Sequence, residues 1–361
     1  MFNSSVQQGF IMITKTRLKE FKYNLPGELI AQEPRASRDA SRMMVVHRKG
    51  AVFEERVFRD LTDFLRQGDC LVINNSKVIP ARLLGRKPTG GMVEVLLLSE
   101  SENDKRSGNR LWEVLLKPAR RVAPGMRLTF DKEGEAEVIE RVSEKKWVLR
   151  FFTDIEFDEF ISRYGRTPLP PYIRRKDGEG ESLDRIRYQT VYARVPGSVA
   201  APTAGLHFSQ DLLNRLMNQG VHIAAVTLHV GYGTFLPVEA PFVEDHVMEK
   251  EFYEISDEEA DRINKADRVI AVGTTSSRVM ESASDVTGRV RSGSGFTSLY
   301  IYPGFRFKKT DGLITNFHLP RSSLFIFVCA FAGMEMIKKA YAKAIEERYR
   351  FYSYGDCMLI I

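Results

Sequence analysis

Four short stretches of the 361-residue chain gather hydroxyl, glycine and histidine residues where strands would hand over to helices. They are 200–208 (AAPTAGLHF), 227–235 (TLHVGYGTF), 274–277 (TTSS) and 315–323 (TNFHLPRSS). Open α/β sheets bind ligands on loops of this kind. An imidazole titrates near neutrality, so His207, His229 and His318 suit proton transfer, with His246 ranked behind them. In an extended segment Thr227, His229 and Gly231 share one face, so His229 and the bare Gly231 backbone can line a ligand surface. A packed core histidine explains that spacing equally well. The Thr274, Thr275 and Ser276 hydroxyls at a helix start would bind a carboxylate, phosphate or ribose hydroxyl, although simple capping explains the same residues. Two Gly-x-Gly matches, at Gly231 and Gly293, lack the third glycine of a dinucleotide fingerprint. The histidines lack metal-ligand spacing, so no metal is expected.

Basic side chains recur in clusters that read as exposed: Arg82 with Arg86 and Lys87, Lys117 with Arg120 and Arg121, Arg174 with Arg175 and Lys176, and Arg306 with Lys308 and Lys309. Each cluster alone is an ordinary solvated face. Interleaved with Tyr172, Tyr188, Tyr192 and Phe305, several together could follow a phosphate backbone and stack unpaired bases.

These residues need positioning elements, and the chain supplies two textures. Phe58, Leu61, Phe64 and Leu65 recur at helical spacing ahead of Gly68. Between residues 70 and 152, short alternating runs (71–73, 78–84, 92–98, 111–116, 126–130, 136–142 and 147–151) are separated by glycine turns. Six or seven strands without an intervening helix indicate a closed barrel or sandwich. Asp154 and Gly165 bracket a helix bearing Phe157, Phe160, Ile161 and Tyr164, and an extended connector, 168–176, follows. From Gln189 helices and strands alternate: Ser209 caps one helix, Ser256 with Glu259 forms a capping box, and a strand at 268–272 runs into another helix. Ser323 opens a last long helix. The expected architecture is mixed α/β: an α/β sandwich catalytic domain over 12–69 and 153–361, with an antiparallel six-stranded β-barrel inserted at 70–152.

Bulk properties narrow the class. Hydrophobic residues make up 43% and charged residues 28%, the balance of a globular protein. A net charge of +6 permits a polyanionic partner without demanding one. Cys70, Cys329 and Cys357 form no paired spacing, which suits a reducing, cytoplasmic setting. The longest apolar run, 324–333, is far short of the roughly 20 residues that span a bilayer, so no membrane partner is expected. Residues 1–11 show no periodicity, precede a second possible start at Met12, and read as a disordered leader.

Taken in order, the four stretches resemble the S-adenosylmethionine:tRNA ribosyltransferase-isomerase family of queuosine biosynthesis. So do Leu25-Pro26, 29–32 (LIAQ) with Pro34, 74–82 (NNSKVIPAR), 90–97 (GGMVEVLL), 168–173 (PLPPYI), 187–193 (RYQTVYA) and 352–358 (YSYGDCM). The resemblance runs from about Thr16 to the C-terminus and implies an α/β domain with an inserted antiparallel barrel. It also implies the reaction: the ribosyl group of S-adenosylmethionine (AdoMet), a consumed cosubstrate, is transferred and isomerised onto 7-aminomethyl-7-deazaguanine at the tRNA wobble position. The products would be epoxyqueuosine-tRNA, adenine and methionine. Two positions depart from the family pattern: Arg166 stands before Thr167-Pro168, and Glu249 after 246–248, where histidines are usual.

On this resemblance a base would remove a C5′ proton acidified by the sulfonium, and ring opening with loss of adenine would expose an electrophile to the aminomethyl group. That amine must be unprotonated to attack. His207, His229, His318 and, behind them, His246 are the candidate bases. Phe208, Tyr232 or Phe317 would stack the adenine. Thr203, Gly231, Gly233, Thr274, Thr275 and Ser276 would contact substrate, and Asp356 would pair the methionine ammonium or only cap local structure. Arg82, Lys117, Arg120, Arg174, Arg175 and Arg306 would bind the tRNA, and the protein is expected to be a monomer. Two other classes compete: an AdoMet-dependent RNA methyltransferase, which needs a glycine-rich turn not visible here, and a non-catalytic RNA-binding module, which leaves the histidine loops without a role.

Overall fold

The computed structural model describes residues 15–101, 110–131, 133–176, 179–235 and 237–361. The leader expected at 1–11 lies outside the described residues.

Among the described residues seventeen strands, β1 to β17, form two sheets and a barrel. The large sheet contains β1 (Arg42–His47), β2 (Val52–Val57), β3 (Asp69–Asn74), β12 (His222–Leu228), β13 (Glu251–Ile255), β14 (Arg268–Val272), β15 (Gly293–Thr297), β16 (Gly312–Asn316) and β17 (Cys357–Ile360). Their spatial order is β15-β13-β12-β3-β14-β16-β17-β1-β2. At its centre β12, β3, β14 and β16 run parallel, while β13 and β17 flank them antiparallel. Side chains of a strand alternate between faces, and here both faces are apolar. Cys70, Val72, Ala271, Leu313 and Met358 face one core, whereas Leu71, Ile73, Ile270, Ile314 and Leu359 face another.

Helices cover both faces. On one lie α4 (Asp257–Lys265), α5 (Gly273–Ala283), α6 (Ser323–Ala332) and α7 (Met334–Glu346). On the other lies α3 (Gln210–Asn218), whose Leu212, Leu213 and Leu216 turn inward. The Ser209 hydroxyl accepts from the Leu212 amide at 3.2 Å and starts α3 as the sequence indicates. Ser256 caps α4 likewise. The last helix opens at Ser323 as expected, with Ser322 as its cap, but it is interrupted, because Gly333 at φ +87° separates α6 from α7. The amphipathic segment at 58–65 folds as a 3-10 turn, Phe58–Asp63, and Glu156 rather than Asp154 precedes α1 (Phe157–Tyr164).

The barrel is closed and antiparallel, in the order β10-β7-β6-β5-β8-β9. Its strands are β5 (Arg82–Arg86), β6 (Met92–Glu100), β7 (Arg110–Lys117), β8 (Arg127–Phe130), β9 (Gly134–Arg141) and β10 (Lys146–Thr153). Closure leaves no open edge, and the interior is filled by residues such as Leu83, Val95, Val114, Val138 and Leu149, with α1 adding Phe157 and Phe160. One expectation needs correction. The run 71–73, grouped with the barrel from its sequence, belongs to β3, a fully buried strand between β12 and β14. Alternation alone does not choose a strand's partners, and both-sided burial suits the middle of a parallel sheet. Between β3 and the barrel, β4 (Ser76–Val78) pairs in parallel with β11 (Val195–Ser198). The connector holding α2 (Glu181–Arg187) docks Leu169, Ile173 and Tyr188 into a separate small core with Tyr354.

Candidate functional site

The carboxyl ends of β3, β12, β14 and β16 reach one edge of the sheet because those four strands are parallel. Each motif-bearing stretch leaves the sheet there or packs against it. The 200–208 loop is held by the Val199 and Ala200 amides, which donate to the Val230 carbonyl at 3.1 and 3.3 Å. It then forms a 3-10 turn, Thr203–His207, against β16 and α5.

Asn316 holds one of the histidines. Its Nδ2 donates to His207 Nε2 at 3.0 Å and to the Tyr352 carbonyl at 3.1 Å, and His318 follows two residues later. Because Nε2 accepts, the imidazole proton of His207 lies on Nδ1, which donates to Ser41 Oγ at 2.9 Å. Both ring nitrogens of His207 are thus occupied. His318 Nε2 shares a hydrogen bond with Thr315 Oγ1 at 2.7 Å, and its backbone amide donates to the Tyr341 hydroxyl oxygen at 3.0 Å. No other hydrogen bond engages the His318 ring among the described residues, so one nitrogen remains for a ligand. Burial pushes His207 down to about 4, opposed by the nearby Asp356 carboxylate, and pushes His318 down to about 3. Both are neutral at pH 7.

His318 and Asn316 line a cleft of about 570 Å³ with Thr203, Thr234, Pro237, Ser322, Ser353, Tyr172 and Tyr352. The two tyrosine rings lie 4.0 Å apart between centroids and give it an aromatic wall. A second cleft of about 850 Å³ contains Gly231, Gly233, His246, Glu249 and Glu251. Thr234 and Pro237 line both clefts, so the two are contiguous. A buried ion pair braces this junction. Glu251 pairs with Arg278, and Glu251 Oε1 accepts from the Gly231 amide at 2.9 Å and Thr234 Oγ1 at 3.3 Å. His246, lowered by burial, packs edge-on against Tyr300.

A third depression, a groove of about 1120 Å³, runs between the barrel and the connector. Six of its lining residues are basic (Arg82, Lys117, Arg166, Arg174, Arg175, Lys176) and three are acidic (Glu94, Glu179, Glu181). Tyr232 lines this groove, whereas its neighbours Gly231 and Gly233 line the second cleft. Arg175 is held by Asp184 at 2.7 Å, and Arg82 donates to the Leu169 carbonyl at 2.9 Å, so both also tie the connector down.

Other anticipated residues sit elsewhere. His229 lines none of these clefts: its ring stacks on Phe252 at 5.6 Å and covers Gly197 (φ +139°), where a Cβ would come within 2.7 Å of the imidazole. Phe208 and Phe317 are fully buried, the first against Phe58 and the second against Tyr341 and Phe351. Asp356 is also buried, and its carboxylate accepts from Arg35 and from the Arg42 and Arg350 amides at 2.9 and 2.8 Å. Thr274, Thr275 and Ser276 are buried in the first turn of α5, Ser276 donating to the Val272 carbonyl at 2.8 Å. Thr275 Oγ1 has no partner. Arg120 and Arg306 are exposed and lie outside the groove. At the two departures from the family pattern, Arg166 lines the groove and Glu249 pairs with Lys146 of the barrel at 2.6 Å. Sequence reading passed over Asn316, Ser353, Tyr352 and Thr234 as chemistry, although all four lie inside or beside quoted motifs. Among the described residues no group of three or more His, Cys, Asp or Glu is placed to hold a metal ion, and no helix is long and apolar enough to cross a membrane.

Known proteins share this arrangement. A family model described as queuosine biosynthesis protein matches residues 18–360. A curated S-adenosylmethionine:tRNA ribosyltransferase-isomerase from Syntrophus aciditrophicus (strain SB) is 56% identical over 360 residues, covering 96% of this chain and 99% of that protein. One from Acetivibrio thermocellus is 50% identical over 350 residues, with 95% and 99% covered. The crystal structure of an S-adenosylmethionine tRNA ribosyltransferase from Thermotoga maritima superposes with a TM-score of 0.52 at 35% identity, over 95% of this chain and 100% of that one. A match across almost the whole length, together with the barrel and the motif-bearing sheet edge, makes this chain a member of the queuosine biosynthesis protein family.

Proposed function

We propose that this chain transfers and isomerises the ribosyl group of AdoMet onto 7-aminomethyl-7-deazaguanine at the wobble position of tRNA, releasing adenine and methionine. Its family and the names of its relatives support the reaction. The observation that carries it to this molecule is the wall formed by 231–234. That short segment borders the basic groove through Tyr232 and both clefts through Thr234 and its glycines, so RNA and a small cosubstrate can meet across it.

In this reading the adenosyl group occupies the cleft against Tyr172 and Tyr352, where the aromatic wall suits a purine. Thr203, Asn316, Ser322 and Ser353 offer hydrogen bonds. His318 is the base: it is neutral, lines the cleft and keeps one ring nitrogen free of protein partners. It takes the C5′ proton that the sulfonium acidifies. His207 is a positioning residue, since Ser41 and Asn316 occupy both of its nitrogens. The anticodon loop lies in the groove against Lys117, Arg166 and Arg174, where phosphate contacts fix register and unpaired bases are free to leave the stack. Free, buried Cys70, Cys329 and Cys357 support a reducing cytoplasm as the place of action.

The test is mass spectrometry of a precursor tRNA incubated with AdoMet and the protein. Epoxyqueuosine in the tRNA, with one adenine and one methionine released per modified base, is the expected outcome. S-adenosylhomocysteine as product would replace the reading with methyl transfer.

A further inference from the structure

A fourth cavity, about 260 Å³, opens beside His207 on the far side of Asn316 from the large cleft. Three guanidinium groups line it, those of Arg35, Arg38 and Arg187. Only Arg35 has a carboxylate partner, the buried Asp356 at 3.1 Å. Arg38 donates to the Leu206 and Ile186 carbonyls at 3.2 and 3.1 Å. Arg187 donates to the Ala36 and Arg35 carbonyls at 3.2 and 2.7 Å. Among the described residues neither has a carboxylate within ion-pair distance. Asp39, adjacent in sequence to Arg38, is bound by the Ser37 and Ser209 hydroxyls and lies 3.7 Å from Arg59. Arg187 Nε is buried with no hydrogen-bond partner at all.

Partly buried cations without a counter-ion are costly, and here two stand side by side. Their repulsion is visible in Arg38, which burial and Arg187 both push below the usual guanidinium range. His207 adds no charge at neutral pH. The recess is therefore lined by two guanidinium groups that lack a carboxylate partner among the described residues and by the hydroxyl-bearing Ser37 and Ser41. It is not isolated: Ser353 lines both this recess and the large cleft.

We propose that the recess is an oxyanion subsite that takes the α-carboxylate of AdoMet, with Arg187 and Arg38 as its binding residues. The inference rests on AdoMet being the cosubstrate. The carboxylate is the one anionic group of that molecule, and planar guanidinium groups pair with it in a fork geometry that a lysine cannot reproduce. Its entry would offset the like-charge repulsion between Arg38 and Arg187. The methionine end would be anchored here, and the sulfonium and ribose would extend past Ser353 toward His318.

The experiment compares AdoMet with decarboxylated S-adenosylmethionine by calorimetric titration of the full chain. The unaltered protein should bind the decarboxylated compound roughly 10- to 100-fold more weakly, the range for a charge-assisted hydrogen bond. Arg187→Met should weaken AdoMet binding about 10-fold and leave the decarboxylated compound unchanged, with Arg187→Lys recovering part of the loss. Thermal melting confirms that each variant is folded, and the two-ligand comparison on the unaltered protein needs no variant. Equal affinity for the two ligands overturns the proposal. So does an unchanged AdoMet affinity in Arg187→Met accompanied by a raised KM for tRNA, which would give the recess to a backbone phosphate. Failure of the reaction itself reads out separately, as no adenine released from AdoMet and precursor tRNA.

Discussion

The cleft at the sheet edge and the groove beside the barrel hold their side chains in opposite ways. In the cleft, Asn316 and His318 are buried and held by hydrogen bonds of 3.0 and 2.7 Å, Asn316 to His207 behind it and His318 to Thr315. In the groove, Lys117 on the barrel and Arg174 and Lys176 on the connector are exposed. A hydrogen-bonded interior fixes geometry, whereas an exposed basic surface supplies a field and tolerates small displacements. Damage to the cleft should therefore be large and concentrated in single residues, while damage to the groove should be small, shared and dependent on salt.

The largest effect expected is on the cleft histidines. His318→Ala should lower adenine release at saturating AdoMet and tRNA by at least about 100-fold, the lower range for a lost acid–base group. His229→Ala should leave turnover close to that of the unaltered protein, because that ring stacks on Phe252 outside every cleft. If the two variants lost activity equally, proximity to the cleft would not be what distinguishes a catalytic histidine here.

Acid stability probes the same network. His207 and His318 hold pKa values of about 4 and about 3 in the folded protein, against roughly 6.5 in an unfolded chain. Below pH 6.5 the unfolded chain binds protons that the folded one refuses. The stability from this source is whole above that pH and is lost as pH falls toward the folded values, at roughly 1.4 kcal/mol per pH unit for each imidazole. Urea midpoints at pH 7, 6 and 5 should show this slope, and His207→Gln should reduce it. Carboxylates contribute equally to both proteins over the range, so an identical slope would mean that the imidazole is charged in the fold.

How much of this was legible depended on the distance over which each feature is decided. Local signals read correctly: the Ser209 and Ser256 caps and the strand at Arg268–Val272 entering α5 all follow from a few adjacent residues. The partners of β3 did not, because its alternation suits a barrel and a parallel sheet alike and only pairing with β12 and β14 decides. Phe208 and Phe317 looked like stacking platforms beside histidines, yet each ring is fully buried in a core, away from the clefts. Asp356 sits in a motif rich in polar residues, and its role as acceptor for Arg35 and two amides requires knowing that 35, 42 and 350 meet. The Arg38–Arg187 recess was invisible for the same reason. Nearly 150 positions separate its two cations, and each cation alone is unremarkable.

In the groove the expected effects are smaller and of a different kind. Lys117→Ala or Arg174→Ala should raise KM for tRNA with kcat unchanged. Each should also flatten the dependence of log affinity on log salt by roughly 0.7, the value for one phosphate contact on a single strand. Arg306→Ala should change neither quantity, since that side chain lies outside the groove. Binding measured between 50 and 200 mM salt separates the three; an Arg306 effect equal to that of Lys117 would extend the RNA path across the sheet edge.

The smallest effect should come from the contact that joins the two regions. Glu249, standing where the resemblance implies a histidine, pairs with Lys146 at 2.6 Å across the boundary between the cleft and the barrel. Both side chains are partly exposed, 47% and 28%, so solvent screens the pair. Lys146 also keeps a second partner, Glu113, at 2.9 Å on the barrel itself. Glu249→Gln should therefore cost less than about 1 kcal/mol in urea unfolding. Glu249→His should restore the family residue without repelling Lys146 at pH 8, where an imidazole is neutral. A loss of several kcal/mol on Glu249→Gln would show instead that this pair holds the barrel against the catalytic sheet, and that the cleft and the groove are not mechanically independent.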